Sequence, residues 1–210
     1  MLFKNRQEAG SQLAARLQAY KELGDVLVLG LARGGVVTAC EVAKALHLPL
    51  NVVVVRKVGA PYNEELALGA VTASGEGIFN DHLIAVLGVS PEYLKREVEK
   101  QKKLAQQRLD FYRGSLPAPD LEGKSVILVD DGIATGASMR VAIRSVRGEK
   151  AKKIILAVPV ASPDSLRQIE KEVDEVVCLS CPSFFEAVGS FYRDFGQTSD
   201  EEIGVLLSSR

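Results

Sequence analysis

Cysteine and histidine are scarce in this 210-residue chain, and their scarcity narrows the chemistry at once. The three cysteines, Cys40, Cys178 and Cys181, form an odd set in which only the last two are close together, which argues against a secreted disulfide framework. Cys178-Leu179-Ser180-Cys181 has the spacing of a redox or metal pair. With no second pair, and with His47 and His82 the only histidines, these thiols read as ordinary residues at a strand end. Neither sign of charge dominates. The 26 basic and 27 acidic residues leave a net charge of -1, without the global attraction to a polyanion that nucleic-acid binders use. No apolar run approaches the roughly 20 residues that span a bilayer. Residues 1–8 lack a long apolar core and carry acid early, unlike a secretion signal or organelle presequence, so the expectation is a cytoplasmic protein. The length suits one domain over residues 1–210, with room for a small appendage.

What is present is an alternation of element types. Asn5 and Glu8 have the form of a capping box, and Ala9, Leu13, Leu17 and Tyr20 recur at helical spacing, which predicts a first helix ending near Gly24. Apolar, β-branched runs at 26–29, 50–55, 126–129, 154–159 and 175–179 read as strands, and 36–46, 139–146 and 164–172 read as helices. Such alternation predicts an α/β protein with a Rossmann-like parallel sheet flanked by helices, and with ligands at the carboxyl ends of the strands. Residues 57–124 break the pattern and form an insertion too long for a simple connection. It holds a polar segment (57–65), a strand or hairpin (66–79) around Ser74-Gly75-Glu76-Gly77, and a charged helix with Ser90 as N-cap and Pro91 at its first position. That helix runs toward Tyr112, with Leu94, Val98, Ala105 and Tyr112 near one face and Glu92/Arg96 and Glu99/Lys103 paired on the wet side. It reads as a helix packed on its own domain, with a homodimer contact or a mobile lid as sharper alternatives. A Pro- and Gly-rich linker (114–123) returns to the sheet. The segment 181–210 holds Phe184, Phe185, Phe191, Tyr192 and Phe195, followed by a last short helix capped by Ser199 and Glu202.

The most informative segment is Val126-Ile127-Leu128-Val129-Asp130-Asp131-Gly132-Ile133-Ala134-Thr135-Gly136-Ala137-Ser138. A buried strand leads to two carboxylates and then to a small-residue loop that enters a helix. Such a loop can turn several N–H groups toward one point where the helix dipole favours an anion, which makes a phosphate seat. The carboxylates repel phosphate, so the ligand should carry hydroxyls or a cation at one end and phosphate at the other, as a ribose 5-phosphate does. A Walker A loop would need Gly-Lys-Ser/Thr and a dinucleotide loop Gly-x-Gly-x-x-Gly; neither is present.

The run VILVDDGIATGAS resembles the phosphoribosyl pyrophosphate (PRPP) signature of the type I phosphoribosyltransferases, and the resemblance extends more loosely over residues 25–180. It implies that family's α/β fold, with residues 181–210 as a hood over the acceptor site. Asp130 and Asp131 would hold the ribose hydroxyls, directly or through Mg2+. The backbone of Gly132, Ile133, Ala134, Thr135, Gly136 and Ala137, with the hydroxyls of Thr135 and Ser138, would bind the 5-phosphate. Gly30-Leu31-Ala32-Arg33-Gly34-Gly35 is a second strand-to-helix turn, a mere tight turn if taken alone. The resemblance makes Ala32, Arg33, Gly34 and Gly35 the pyrophosphate loop, with a non-proline cis peptide beside Arg33. Arg56 and Lys57 would help to stabilise the leaving pyrophosphate, against the alternative of an ordinary charged strand end, and 59–64 would be a flexible catalytic loop. Ala134 departs from the pattern of the 6-oxopurine enzymes, which place an aspartate there. The aromatic tail could stack on a base, although scattered Phe and Tyr serve more often as core.

The resulting expectation is a Mg2+-dependent transferase that moves the 5-phosphoribosyl group from PRPP to a small nitrogen acceptor, such as a nucleobase other than a 6-oxopurine, with release of pyrophosphate. No general base stands out. The alternatives are a non-catalytic PRPP or nucleotide sensor and, more remotely, a hydrolase of ribosyl phosphates.

Overall fold

The computed structural model describes residues 2–114 and 116–208. The parts of the expected linker and tail that fall on Ser115, Ser209 and Arg210 lie outside the described residues, as does Met1. In chain order the elements are α1 (Arg6–Arg16), β1 (Val26–Leu31), α2 (Gly34–Leu46), β2 (Leu50–Val53), β3 (Val55–Ala60), β4 (Asn63–Thr72), β5 (Gly77–Phe79), α3 (Asp81–Val86) and α4 (Pro91–Arg113). There follow β6 (Ser125–Val129), α5 (Ala137–Gly148), β7 (Lys153–Val160), α6 (Pro163–Ile169), β8 (Glu175–Ser180) and α7 (Asp200–Ser208).

Five of the strands form a parallel sheet in the order β2-β1-β6-β7-β8. Their side chains alternate between two cores. Val26, Val28, Ile127, Val129 and Ile155 pack with Leu13 of α1, Val36 of α2 and Ile203 of α7, whereas Leu27, Leu29, Val126, Leu128 and Ile154 pack with Met139 and Ile143 of α5 and Ile169 of α6. A strand covered on both faces must be apolar at every position, which is why the run 126–129 carries no polar residue. Each such buried side chain contributes about 1.5–3 kcal/mol. Chain order places β2 to one side of β1 and β6, β7 and β8 to the other, so a crevice opens between the carboxyl ends of β1 and β6. Among the described residues no helix is long and apolar enough to cross a membrane.

Several boundaries differ from expectation. The strand expected over 50–55 stops at Val53, and Val55 begins a separate antiparallel sheet of order β3-β4-β5. The expected flexible loop at 59–64 lies in that ribbon, where Ala60 pairs with Asn63 around the tip Pro61-Tyr62. Its polarity has a different cause: the outer half of β4 is exposed on both faces, and its register with β3 shifts on either side of Gly59. The first helix ends at Arg16 and continues as a short 3-10 turn at Gln18–Tyr20, and α6 ends at Ile169 rather than 172. The helix α3, capped by Asn80, was not anticipated.

Helix α4 has the expected Ser90 cap and Pro91 start and buries Ala105 and Tyr112 as expected, but Glu97, Gln101 and Leu109 complete its buried face, with Leu94 and Val98 only half-buried. Polar residues fit this face because they meet one another: Gln101 donates to Glu97 (2.7 Å) and accepts from the Arg56 Nε (3.0 Å). The ion pairs on the helix are Glu97–Lys100 and Glu99–Lys102, not the expected i,i+4 set. In the tail, Tyr192 stacks on Phe195 (4.9 Å) and lies 5.4 Å from Phe3, while Phe185 lies 5.3 Å from Phe191. Most of these rings are packing material, and only Phe184 is largely exposed.

Candidate functional site

Because β1 and β6 are adjacent and Gly30 is in register with Val129, the two strand-to-helix turns predicted to bind anions leave the sheet side by side. The turn after β1 contains a cis peptide between Ala32 and Arg33, at the position the resemblance implied. Helix α2 then starts at Gly34 with no side-chain cap. The turn after β6 is pinned at its middle: the Ile133 N–H donates to Val160 O (2.9 Å), and its carbonyl accepts from the Ser162 N–H (2.9 Å). The Ala134 carbonyl is drawn away by the hydroxyls of Ser162 (2.7 Å) and Ser165 (2.6 Å). Gly136, at φ +75°, then swings the chain into α5, a left-handed conformation that favours glycine.

The first N–H groups of α5 have no carbonyl one turn earlier in the helix to accept them, and Ala134, Thr135 and Ala137 are exposed around them. A cavity of about 160 Å³ lies here, lined by Asp130, Gly132, Thr135, Gly136, Ser138 and Val188. Sequence reasoning did not single out Val188. Its Cγ1 would stand 2.5 Å from a Cβ on Gly132, so the tail closes on the loop at that point.

The two carboxylates sit between the helix starts. A Cβ on Gly34 would fall 1.9 Å from Asp131 Oδ2, and one on Gly35 would fall 2.8 Å from the Cα of Asp130, so both glycines are required by the approach of α2 to the acid pair. The Asp131 N–H donates to Asp130 Oδ1 (2.8 Å). Part of the Asp130 surface meets solvent, yet the dense protein around its carboxyl and the neighbouring Asp131 charge push it well above the usual carboxylate range, against the pull of the Asp131 N–H and Arg6.

The principal partner of Asp131 was invisible in the sequence. Arg6, 125 residues away, places Nε 2.6 Å from Asp131 Oδ2, donates to Gly196 O (2.7 Å) and stacks on Phe195 at 3.9 Å. Both side chains are little exposed, at 11% and 13%. The Tyr192 hydroxyl donates to the Asp131 carbonyl (2.6 Å), and burial raises that phenol well above its ordinary value. No local pattern marks Arg6, which reads as an ordinary residue at a helix start.

Of the expected leaving-group cations, Arg33 lies beside the acid pair and reaches Asp200 at the start of α7 (3.8 Å). Arg56 turns toward α4 and donates to Gln101. Lys57, the next residue on β3, is exposed and projects to the opposite face of the ribbon, so the structure does not bring it to Arg56. Among the described residues no group of three or more His, Cys, Asp and Glu side chains converges to hold a metal ion. Asp130 and Asp131 offer carboxylate oxygens without an all-protein cage, a donor set that fits Mg2+ arriving with a phosphate-rich ligand.

Comparison with known proteins gives concordant results. A family model described as "Phosphoribosyl transferase domain" matches residues 3–195. A Mycobacterium tuberculosis protein described as "putative phosphoribosyl transferase" is 42% identical over 206 residues, which are 98% of this chain and 46% of that protein; the chain thus spans about half the length of this relative. A uracil phosphoribosyltransferase from Lactobacillus gasseri is 38% identical over 89 residues, 41% of this chain and 43% of its own. The crystal structure of the protein TT1426 from Thermus thermophilus superposes with a TM-score of 0.83 at 44% identity, covering 100% of this chain and 99% of that one.

Proposed function

Because this chain belongs to the phosphoribosyl transferase family, we propose that it moves the 5-phosphoribosyl group from PRPP to a small nitrogen acceptor and releases pyrophosphate. The observation that carries the reading is the meeting of two anion-favouring helix starts around one acid pair. PRPP has the matching order of groups: a 5-phosphate, then vicinal hydroxyls, then a pyrophosphate.

In this reading the N–H groups of Thr135 to Ser138, with the Thr135 and Ser138 hydroxyls, hold the 5-phosphate. Asp130 and Asp131 accept from the ribose hydroxyls, and Arg6 fixes the orientation of Asp131. The C1–O bond breaks as the acceptor nitrogen closes on C1, and the electron pair leaves with pyrophosphate. Arg33 and Arg56 offset the charge that gathers there, and the rigid cradle supplies orientation. Mg2+ bound with the donor would add Lewis-acid stabilisation of the same charge, held by Asp130 and Asp131 directly or through water. Val188 borders the 5-phosphate side of this cradle, where the tail closes on Gly132. Ala134 offers no carboxylate to a purine N7, which disfavours a 6-oxopurine, and the partial likeness to a uracil phosphoribosyltransferase supports a nucleobase acceptor.

The test is calorimetry of Mg2+-PRPP on the native chain and on the double variant Asp130→Asn/Asp131→Asn. The variant should lose at least about tenfold in affinity, since each lost charge-assisted hydrogen bond is worth about 1.5–3 kcal/mol. Unchanged affinity would overturn the site assignment. A pyrophosphate-release assay across pyrimidine, purine and other nitrogen acceptors then separates transfer from binding alone, and acceptor-independent release would identify a hydrolase.

A further inference from the structure

Beside the acid pair lies a second polar assembly, built from four elements that are distant in sequence. The Asp200 carboxylate, in the first turn of α7, accepts a hydrogen bond from the Tyr112 hydroxyl of α4 at 2.5 Å. Its two oxygens also face two guanidiniums: Arg33 Nη1 of the turn after β1 at 3.8 Å and Arg108 Nε of α4 at 3.6 Å. Arg56 of β3 is near enough to Arg108 for that like charge, after burial, to lower its affinity for a proton. The second acid nearby, Glu97, is already engaged by Gln101 and Lys100.

Three observations make this assembly a binding seat rather than a set of structural ion pairs. First, three guanidiniums, which stay charged in proteins, have only Asp200 and the already engaged Glu97 as acids beside them on this side, so positive charge is in excess. Second, the two arginine contacts to Asp200 are longer than the 2.7–2.9 Å of a committed charge-assisted hydrogen bond, whereas the Tyr112 contact is short. The guanidinium donors are therefore largely unspent. Third, the seat is open: the side chains of Arg33, Arg108 and Asp200 keep 33%, 37% and 30% of their exposure. It is also continuous with the donor site, since Arg33 immediately precedes the glycines that abut Asp130 and Asp131. Ile203 and Leu207, in the core, hold α7 in place, so Asp200 can give way only by a side-chain rotation.

We propose that Arg108, together with Arg33 and Arg56, binds the pyrophosphate group of the donor, and that Asp200 is the resident counter-ion which that group displaces. The proposal rests on the phosphoribosyl-transfer reading. It adds two residues outside both motifs, one on the inserted helix and one in the tail. A diphosphate carries more negative charge and more acceptor oxygens than one carboxylate, so the exchange favours the ligand. In the absence of ligand, Asp200 limits the repulsion among the arginines.

The test uses inorganic pyrophosphate and, separately, ribose 5-phosphate as probes in calorimetry on the full chain and on Arg108→Gln, Arg108→Lys and Asp200→Asn. Circular dichroism and Tm serve to establish folding. Arg108→Gln should weaken pyrophosphate about tenfold or more and leave ribose 5-phosphate unchanged, with Arg108→Lys recovering part of the loss. Asp200→Asn keeps an acceptor for Tyr112 but removes the competing charge, so pyrophosphate should bind several-fold more tightly even if Tm falls. A purely structural Asp200 would give the same Tm change without tighter binding. If Arg108→Gln binds pyrophosphate as well as the native chain, or if Asp200→Asn fails to tighten it while ribose 5-phosphate still binds, this inference is overturned and the transferase reading stands. If the native chain binds neither probe, both fall.

Discussion

The parallel sheet and the inserted ribbon-helix arm (β3 to α4) solve the same problem, burying backbone, by different means. In the sheet, apolar side chains cover both faces and the turns at the strand ends are left free to bind ligands. In the arm, the outer ribbon stands in solvent, and its base meets α4 through Arg56, Gln101 and Glu97. The sheet is specified by apolar pattern throughout, whereas the arm adds polar partners to an apolar base formed by Val58, Leu68, Ala105 and Leu109. A site that borrows residues from both inherits a rigid half and an adjustable half, and the arginine assembly around Asp200 lies at their junction.

The sharpest way to break this comparison is to make the same truncation in each region. Leu128→Ala, at a fully buried sheet position, should cost about 2–5 kcal/mol in denaturant unfolding, and Leu66→Ala, on the exposed outer half of β4, less than about 0.5 kcal/mol. Similar losses at both positions would show that the outer ribbon is packed as closely as the sheet.

A smaller effect should come from the acid pair, where binding geometry opposes stability. Burial and the neighbouring Asp131 raise the Asp130 carboxyl well above the usual carboxylate range, so between the unfolded and the native titration the native state holds a proton that the unfolded chain has released. Stability therefore falls as pH rises from the ordinary carboxylate value of about 3.9 through the raised one, and the penalty is complete above it. Asp130→Asn should accordingly raise Tm near neutral pH, and the gain should shrink as pH drops toward 4. A Tm gain that does not depend on pH would mean that the cost is steric rather than electrostatic.

The smallest effect is expected at the ribbon tip. Tyr62 is fully exposed at φ +66°, a backbone region that favours glycine. Tyr62→Gly should leave stability within about 0.5 kcal/mol, since it gains local backbone freedom and loses no packing. A loss of a kilocalorie or more in the same unfolding measurement would show that the ring is engaged, as in an assembly of chains.

The same contrast explains what the sequence made legible. The five sheet strands could be read because each is an apolar run of strand length, and the acid pair and its loop because they are contiguous. The arm was read poorly for the opposite reason. Leu94, Val98, Ala105 and Tyr112 read as the inward face of α4; Ala105 and Tyr112 are buried, but the first half of the helix buries Glu97 and Gln101 instead, whose partner Arg56 lies 45 residues from Gln101. Arg6 and Asp200 carry no local signal at all. Their importance comes from closure of the fold, which sets one against Asp131 and the other against Arg33.

That closure bears on the order in which the molecule can be completed during synthesis. Arg6 must find Gly196, 190 residues later, as well as Asp131, and backbone bonds from Phe3 to Phe191 and from Arg193 back to Phe3 fasten the same seam. A ribosome releases the chain from its amino end. The nascent sheet therefore presents its two carboxylates before Tyr192, Phe195 and Gly196 have emerged to finish their surroundings. Ligand competence should arrive late and abruptly, when the seam zips, rather than growing with each strand added.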